Sequence, residues 1–234
     1  TLPYQVTGTS PVKEITGLCL IPANTISFSE KIIYGPKSIL NFNDKTEDLV
    51  VQDINHTLHL INSDGETVYS QQLSGPIISD AFQIDYLKNG KLQLLIATAE
   101  NVYAIDRLGN PLPGFPVSLN ERITHLNLVD YDNTRDYRYF LATESGNLWL
   151  LDRNGEKLDG WDPLKIGERM ALAPSHIRVP GRGDFMVAQS GEGKVYLLNR
   201  RGEKQEGSPL NLGKGFVAPI NITSGSGANS LKIS

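Results

Sequence analysis

A five-residue outline returns four times along the chain: Asn62-Ser63-Asp64-Gly65-Glu66, Asp106-Arg107-Leu108-Gly109-Asn110, Asp152-Arg153-Asn154-Gly155-Glu156 and Asn199-Arg200-Arg201-Gly202-Glu203, roughly 45 residues apart. Ahead of each copy runs a stretch of alternating β-formers, at 57–62, 101–106, 147–152 and 194–199. Ahead of those stands an apolar run opening at Leu49, Leu94, Tyr139 or Phe185. An Asx side chain accepts local backbone hydrogen bonds and glycine takes the positive φ of a tight reversal. The motif with Gly65, Gly109, Gly155 and Gly202 therefore predicts a hairpin corner between antiparallel strands. A proline-bearing strand follows each corner, as an outer edge tolerates. A fourth strand, such as 77–85, 123–130 or 216–223, leads into the next copy.

Four short strands in about 45 residues, with no helical period, predict an all-β chain. A lone four-stranded sheet leaves apolar side chains on both faces, and stacking copies face to face around an axis buries them. The expected fold is a β-propeller of four-stranded antiparallel blades. Repeat units fall at approximately 36–75, 76–120, 121–167 and 168–212, within a single domain spanning 1–234. Residues 15–22 and 25–35 read as the second and third strands of a further unit, and 215–223 and 231–234 as the two strands it lacks. The termini, 213–234 plus 1–35, are thus expected to complete a closing blade, giving about five blades; the alternative is an arc of a larger propeller.

At 39% hydrophobic content, 234 residues suffice for a substantial core. The net charge of −4 and scattered Lys and Arg leave no electrostatic footprint for nucleic acid, which is not expected as a partner. A single cysteine, Cys19, excludes an intramolecular disulfide framework and a Cys-rich zinc site. No apolar run approaches the roughly 20 residues of a transmembrane helix. The chain opens on Thr1 rather than Met, so an export signal or anchor is expected to have been removed, and its end reads as a strand just beginning.

The unit at 94–116, with its apolar run, its Asp106-x-x-Gly109 corner and Gly114-Phe115-Pro116, resembles the FG-GAP and quinoprotein-like propeller repeats. The stretch 73–110 is similar to the C-terminal propeller of large uncharacterised Bacteroidetes proteins, a likeness extending over about 36–200. The resemblance implies a propeller in an exported or membrane-anchored protein, periplasmic or at the cell surface. It assigns no activity.

Quinoprotein blades carry a recurring tryptophan, whereas Trp149 and Trp161 fall in different strands of one unit, so no quinone is expected. Calcium is the one metal the pattern suits: Asp130, Asp132 and Asp136 stand at alternate positions, as a hard cation needs. That loop departs from the FG-GAP pattern at three places, and capping of the turn accounts for the same residues. Asp80 and His125 fall at equivalent positions of neighbouring units, where a carboxylate and an imidazole would adjust each other's pKa as an acid–base pair. No third partner repeats, and no opposed carboxylates of the kind a glycosidase uses stand out. Lys37, Arg122, Arg169 and Lys214 come just before the innermost strands, so they are candidates for a cationic rim facing an anionic ligand or partner. Solvated turns explain the same pattern, and Glu121 and Glu168 sit beside two of these cations. The reading favours a non-enzymatic scaffold binding another protein or a polymer; the alternative is a channel-sited hydrolase or lyase acting on a carbohydrate-like substrate.

Overall fold

A computed structural model of the chain describes residues 5–7, 25–215, 218–225 and 231–234, and every regular element among them is a β-strand. β1 (Gln5–Thr7) pairs in parallel with β2 (Thr25–Ser27). Four antiparallel sheets follow in chain order. The first is β3 (Ile32–Leu40), β4 (Glu47–Asp53), β5 (Thr57–Ile61) and β6 (Thr67–Gln72). The second is β7 (Phe82–Ile84), β8 (Gln93–Ala97) and β9 (Val102–Ile105). The third is β10 (Ile123–Val129), β11 (Arg138–Thr143), β12 (Asn147–Leu151) and β13 (Leu164–Lys165). The fourth is β14 (Ser175–Val179), β15 (Gly183–Gln189), β16 (Lys194–Leu198) and β17 (Leu210–Asn211). An antiparallel pair, β18 (Ile222–Ser224) and β19 (Leu231–Ile233), comes last. Each sheet is a simple meander, the commonest route for short antiparallel strands.

The recurring outline is a repeated corner with one hydrogen-bond scheme. Asn62, Asp106, Asp152 and Asn199 each use Oδ1 to accept the backbone N–H groups two and four residues on. Gly65, Gly109, Gly155 and Gly202 hold φ between 80° and 87°, in the left-handed region that the reversal needs. In the second sheet the outer strand is reduced to isolated bridges, Ile105 to Pro111 and Val102 to Val117, because Pro111, Pro113 and Pro116 have no N–H to extend the ladder.

Alternation along the second strand of each sheet builds the core between sheets. On β11, Tyr139 and Leu141 face the second sheet and pack with Leu95, Ala97 and Val102, while Phe140 and Ala142 face the fourth and meet Met186 and Ala188. On β8, Leu94 and Ile96 join Val50 and Leu58 of the first sheet. The first sheet's other face, Leu49, Val51 and Ile61, receives Ile26 and Phe28. The fourth sheet's far face, Phe185, Val187 and Val195, receives Ile222, Leu231 and Ile233. Burying a Leu, Ile or Phe is worth about 1.5–3 kcal/mol, so these contacts, rather than isolated sheets, hold the fold. The result is an all-β propeller of stacked blades.

The sequence reading is corrected at the first blade. Residues 25–35, expected as one strand of the closing unit, divide between β2 and the start of β3, so the first sheet begins at Ile32 rather than near 36. Gly35-Pro36 reads in sequence as a turn, but it forms a bulge inside β3, where the register shifts between Tyr34 and Lys37. The strand expected at 15–22 lies outside the described residues.

Candidate functional site

The meander places two sets of loops at opposite ends of every blade. At one end lie the entry loops, such as 118–122 and 166–169, and the hairpins 98–101, 143–147 and 190–193. At the other lie the first corners, such as 130–137, and the Asx-x-x-Gly turns.

Each member of the proposed acid–base pair has another hydrogen-bond partner. Asp80 Oδ1 accepts a hydrogen bond from Lys37 Nζ at 3.0 Å, and His125 Nδ1 lies 3.1 Å from Thr124 Oγ1. Burial, and then the charge of Arg169, hold the half-buried His125 below the usual histidine pKa. Lys37 is corrected from loop to strand: the bulge carries it into β3, opposite Val50.

At the entry-loop end the two glutamates that sit beside the arginines in sequence take other partners. Glu121 accepts hydrogen bonds from Thr143 Oγ1 at 2.9 Å and from Asn147 Nδ2 at 3.0 and 3.1 Å, and one from Ser145. Its burial would raise the carboxyl pKa, but these donors outweigh burial and hold it below the usual range. Glu168 pairs with Lys194, which does most to hold its carboxyl below the usual pKa range, with Ser190 and Tyr196 adding to that pull. Ser74 occupies the equivalent place in the second blade, with its Oγ 2.8 Å from Thr98 Oγ1 and its N–H donated to Tyr103 Oη. Each of these residues ties an entry loop to a hairpin of its own blade. The recurrence of Thr98, Thr143 and Ser190 at the end of the second strand in the last three of the four blades was the available signal.

Arg122 and Arg169 are left facing outward, with side chains 65% and 64% exposed, and they share one carboxylate. Glu144 stands 3.7 Å from Arg122 Nε and 3.6 Å from Arg169 Nη1. Backbone contacts fix this arrangement. Glu144 N–H donates to the Arg122 carbonyl, and the entry loop of the fourth blade runs over Gly146, whose carbonyl accepts from Ile166 and Gly167. Lys214 pairs separately with Glu192 at 2.6 Å. Of the four predicted rim cations, the structure thus brings two together, Arg122 and Arg169.

The calcium candidates lie at the opposite end, and their oxygens have other partners. Asp130 accepts from the N–H groups of Thr134 and Arg135. Asp132 accepts from Arg178 Nη2 at 2.8 Å and Asp136 from Arg138 Nη2 at 3.0 Å, and these guanidiniums hold both carboxyls below their usual pKa. Among the described residues no group of three or more His, Cys, Asp or Glu side chains is placed to hold a metal ion. Asp184 anchors the same network. Burial opposes its ionisation, but Arg178, His176 and Arg200 pull its pKa down to about 2.

Sequence reasoning also missed the role of the arginine inside the repeated corner. Arg107, Arg153 and Arg200 each reach back to the preceding blade. Arg107 takes the buried Asp48 through Nε at 2.9 Å and Nη2 at 3.2 Å. Arg153 lies over the Tyr86 ring at 5.4 Å, and Arg200 over that of Tyr131 at 4.1 Å. An open groove of about 540 Å³ beside Tyr131, Arg138, Leu158 and Arg200 is floored by this network. In the first blade His59 lies between Asp53 Oδ2 at 3.1 Å and Ser70 Oγ at 2.8 Å. Asp53 Oδ1 meanwhile caps the hairpin through Asn55 and Thr57, so this chain of side chains ties strand to turn.

No family model matches the chain, and no curated protein matches it. Solved structures do. BBS1N, crystallised in complex with ARL6DN and soaked with lead, superposes with a TM-score of 0.58 at 18% identity, over 82% of this chain and 58% of that one. The β-propeller domain of Myceliophteria thermophila Cps50 (Swd1) gives 0.53 at 15% identity, over 82% and 60%. The C-terminal WD40 domain of Sif2 gives 0.51 at 14% identity, over 76% and 46%. The chain therefore spans from 46% to 60% of the length of these structures. At such identities the likeness is one of fold, the β-propeller.

Proposed function

We propose that this propeller is a non-enzymatic binding module that presents a fixed rim to another protein, and that its repeats are of the FG-GAP and quinoprotein-like kind. The observation that carries the reading is the division of labour at the entry-loop end. Glu121 and Glu168 are spent inward, tying loops to hairpins, while Arg122 and Arg169 are displayed outward. Loops so tied lose little further entropy when a partner docks, which favours affinity without any change of shape.

The innermost strands of the four blades, β3, β7, β10 and β14, carry no Asp or Glu, whereas glycoside hydrolysis uses two opposed carboxyl groups. BBS1N, a propeller of similar fold, was crystallised with a partner protein, ARL6DN, which is support by analogy of fold alone. Among the described residues no helix is long and apolar enough to cross a membrane. A periplasmic or cell-surface setting rests on the sequence resemblance.

The test is site-specific photo-cross-linking in the cells of origin, with the reactive residue at Ser118 near the arginine rim or at Leu108 on the opposite end. A single protein adduct from Ser118 and none from Leu108 is expected. Turnover of a polysaccharide by the purified chain, abolished in Asp80→Asn, would overturn the reading.

A further inference from the structure

The rim between the third and fourth blades is chemically unlike the rest of that end. Elsewhere a cation meets its own carboxylate: Lys37 with Asp80, Lys194 with Glu168, Lys214 with Glu192. Here two guanidiniums share Glu144 at 3.6 and 3.7 Å, too far for a good charge-assisted hydrogen bond, so most of their donor capacity stays unspent. The second carboxylate that would balance them, Glu121 or Glu168, is engaged by its own blade. Glu121 keeps its negative charge nearby, so what is left over at this exposed and backbone-fixed place is guanidinium donor capacity rather than net charge.

Glu144 also identifies the ligand. A carboxylate on a short flexible stem already stands between the two arginines and contacts both imperfectly, because its own backbone is tied to the Arg122 carbonyl. A carboxylate arriving from outside has no such tether, and it can meet a guanidinium fork in the bidentate geometry that Glu144 does not reach.

We propose that this rim docks an acidic segment of a partner protein, whose Asp or Glu side chains are taken by Arg122 and Arg169 in competition with Glu144. The proposal rests on the binding-module reading and names the partner's chemistry. Glu144 acts as an internal placeholder: it keeps the two arginines from repelling each other when the rim is empty and gives way when a better-placed carboxylate arrives. The contact is an exposed ion pair, so association weakens as salt rises and screens it.

The experiment is fluorescence anisotropy of a labelled oligoglutamate peptide with the full chain at low ionic strength. Oligoglutamine of equal length serves as the uncharged control and hyaluronate as a competing carboxylate polysaccharide. Arg122→Ala and Arg169→Ala should each weaken binding about threefold to fivefold, the scale of an exposed ion pair. Glu144→Gln should tighten binding by a similar factor, a gain that a purely structural Glu144 would not give. His125, held down in part by Arg169, should show a raised pKa by NMR once the peptide neutralises that arginine.

Unchanged affinity in both arginine variants, or weaker binding by Glu144→Gln, would overturn the proposal. Stronger binding of hyaluronate through the same residues would overturn the partner class. Either failure leaves a Ser118 cross-linked partner standing, so loss of this inference is distinguishable from loss of the binding-module reading.

Discussion

Arg107 and Asp48 are the clearest case of a residue whose importance lies in its reach. The guanidinium is 21% exposed and the carboxylate 2%, and two hydrogen bonds join them across a blade boundary. Removing the cation strands a charge in a place water hardly reaches. Arg107→Ala should therefore lower unfolding free energy in urea by about 3 kcal/mol, and Arg107→Ala/Asp48→Ala should recover part of that loss, since the penalty lies in the unpaired carboxylate. The arginine itself was visible in sequence, recurring at Arg107, Arg153 and Arg200. Its partner was not, because that partner changes from a carboxylate at Asp48 to rings at Tyr86 and Tyr131. A repeat search finds the constant half of such a contact and misses the variable half. The same holds at the rim: Arg122 and Glu121 are neighbours in sequence and meet the same hairpin, yet Glu121 is held inward while Arg122 stays exposed.

At the scale of the element, corners and blade edges were legible because their chemistry is local. The Asx acceptor and its glycine lie three residues apart, within one hydrogen-bonded turn. The bulge at Gly35-Pro36 was misread because glycine and proline punctuate turns and bulges alike, and only pairing with β4 distinguishes the two. Contacts between blades are likewise silent in sequence. Gly160 has φ +81°, and a Cβ there would stand 2.3 Å from the Arg201 carbonyl oxygen of the next blade's corner. Gly207, its counterpart in the fourth blade, has φ +78° with nothing within 4 Å. Gly160→Ala should destabilise by about 3 kcal/mol, combining backbone strain with a clash, whereas Gly207→Ala should cost about 1 kcal/mol from strain alone. Thermal melts of the two variants side by side check the difference, and equal losses would show that the approach of the neighbouring blade costs nothing.

For the molecule as a whole, period-two alternation on β4, β8, β11 and β15 was enough to foresee that each blade buries both faces against neighbours. What alternation cannot tell is where a row of blades meets itself. Ile26 and Phe28 cover the outward face of the first blade, and Ile222, Leu231 and Ile233 that of the fourth. A closing fifth blade predicts that these two coverings are neighbours. In a Cys19→Ser background, cysteines introduced at Thr25 and Lys232 should be joined within one chain by a short bis-maleimide, seen as a faster band on a denaturing gel. Only dimeric products would refute closure and favour the larger ring.

Because Glu121 and Glu168 carry the mechanical duty of holding their loops, the residues immediately after them are released from it. The rim's specificity is thereby uncoupled from the integrity of the scaffold. Reversing the sign at 122 and 169 ought to redirect the surface toward basic partners while the blades beneath stay as they are.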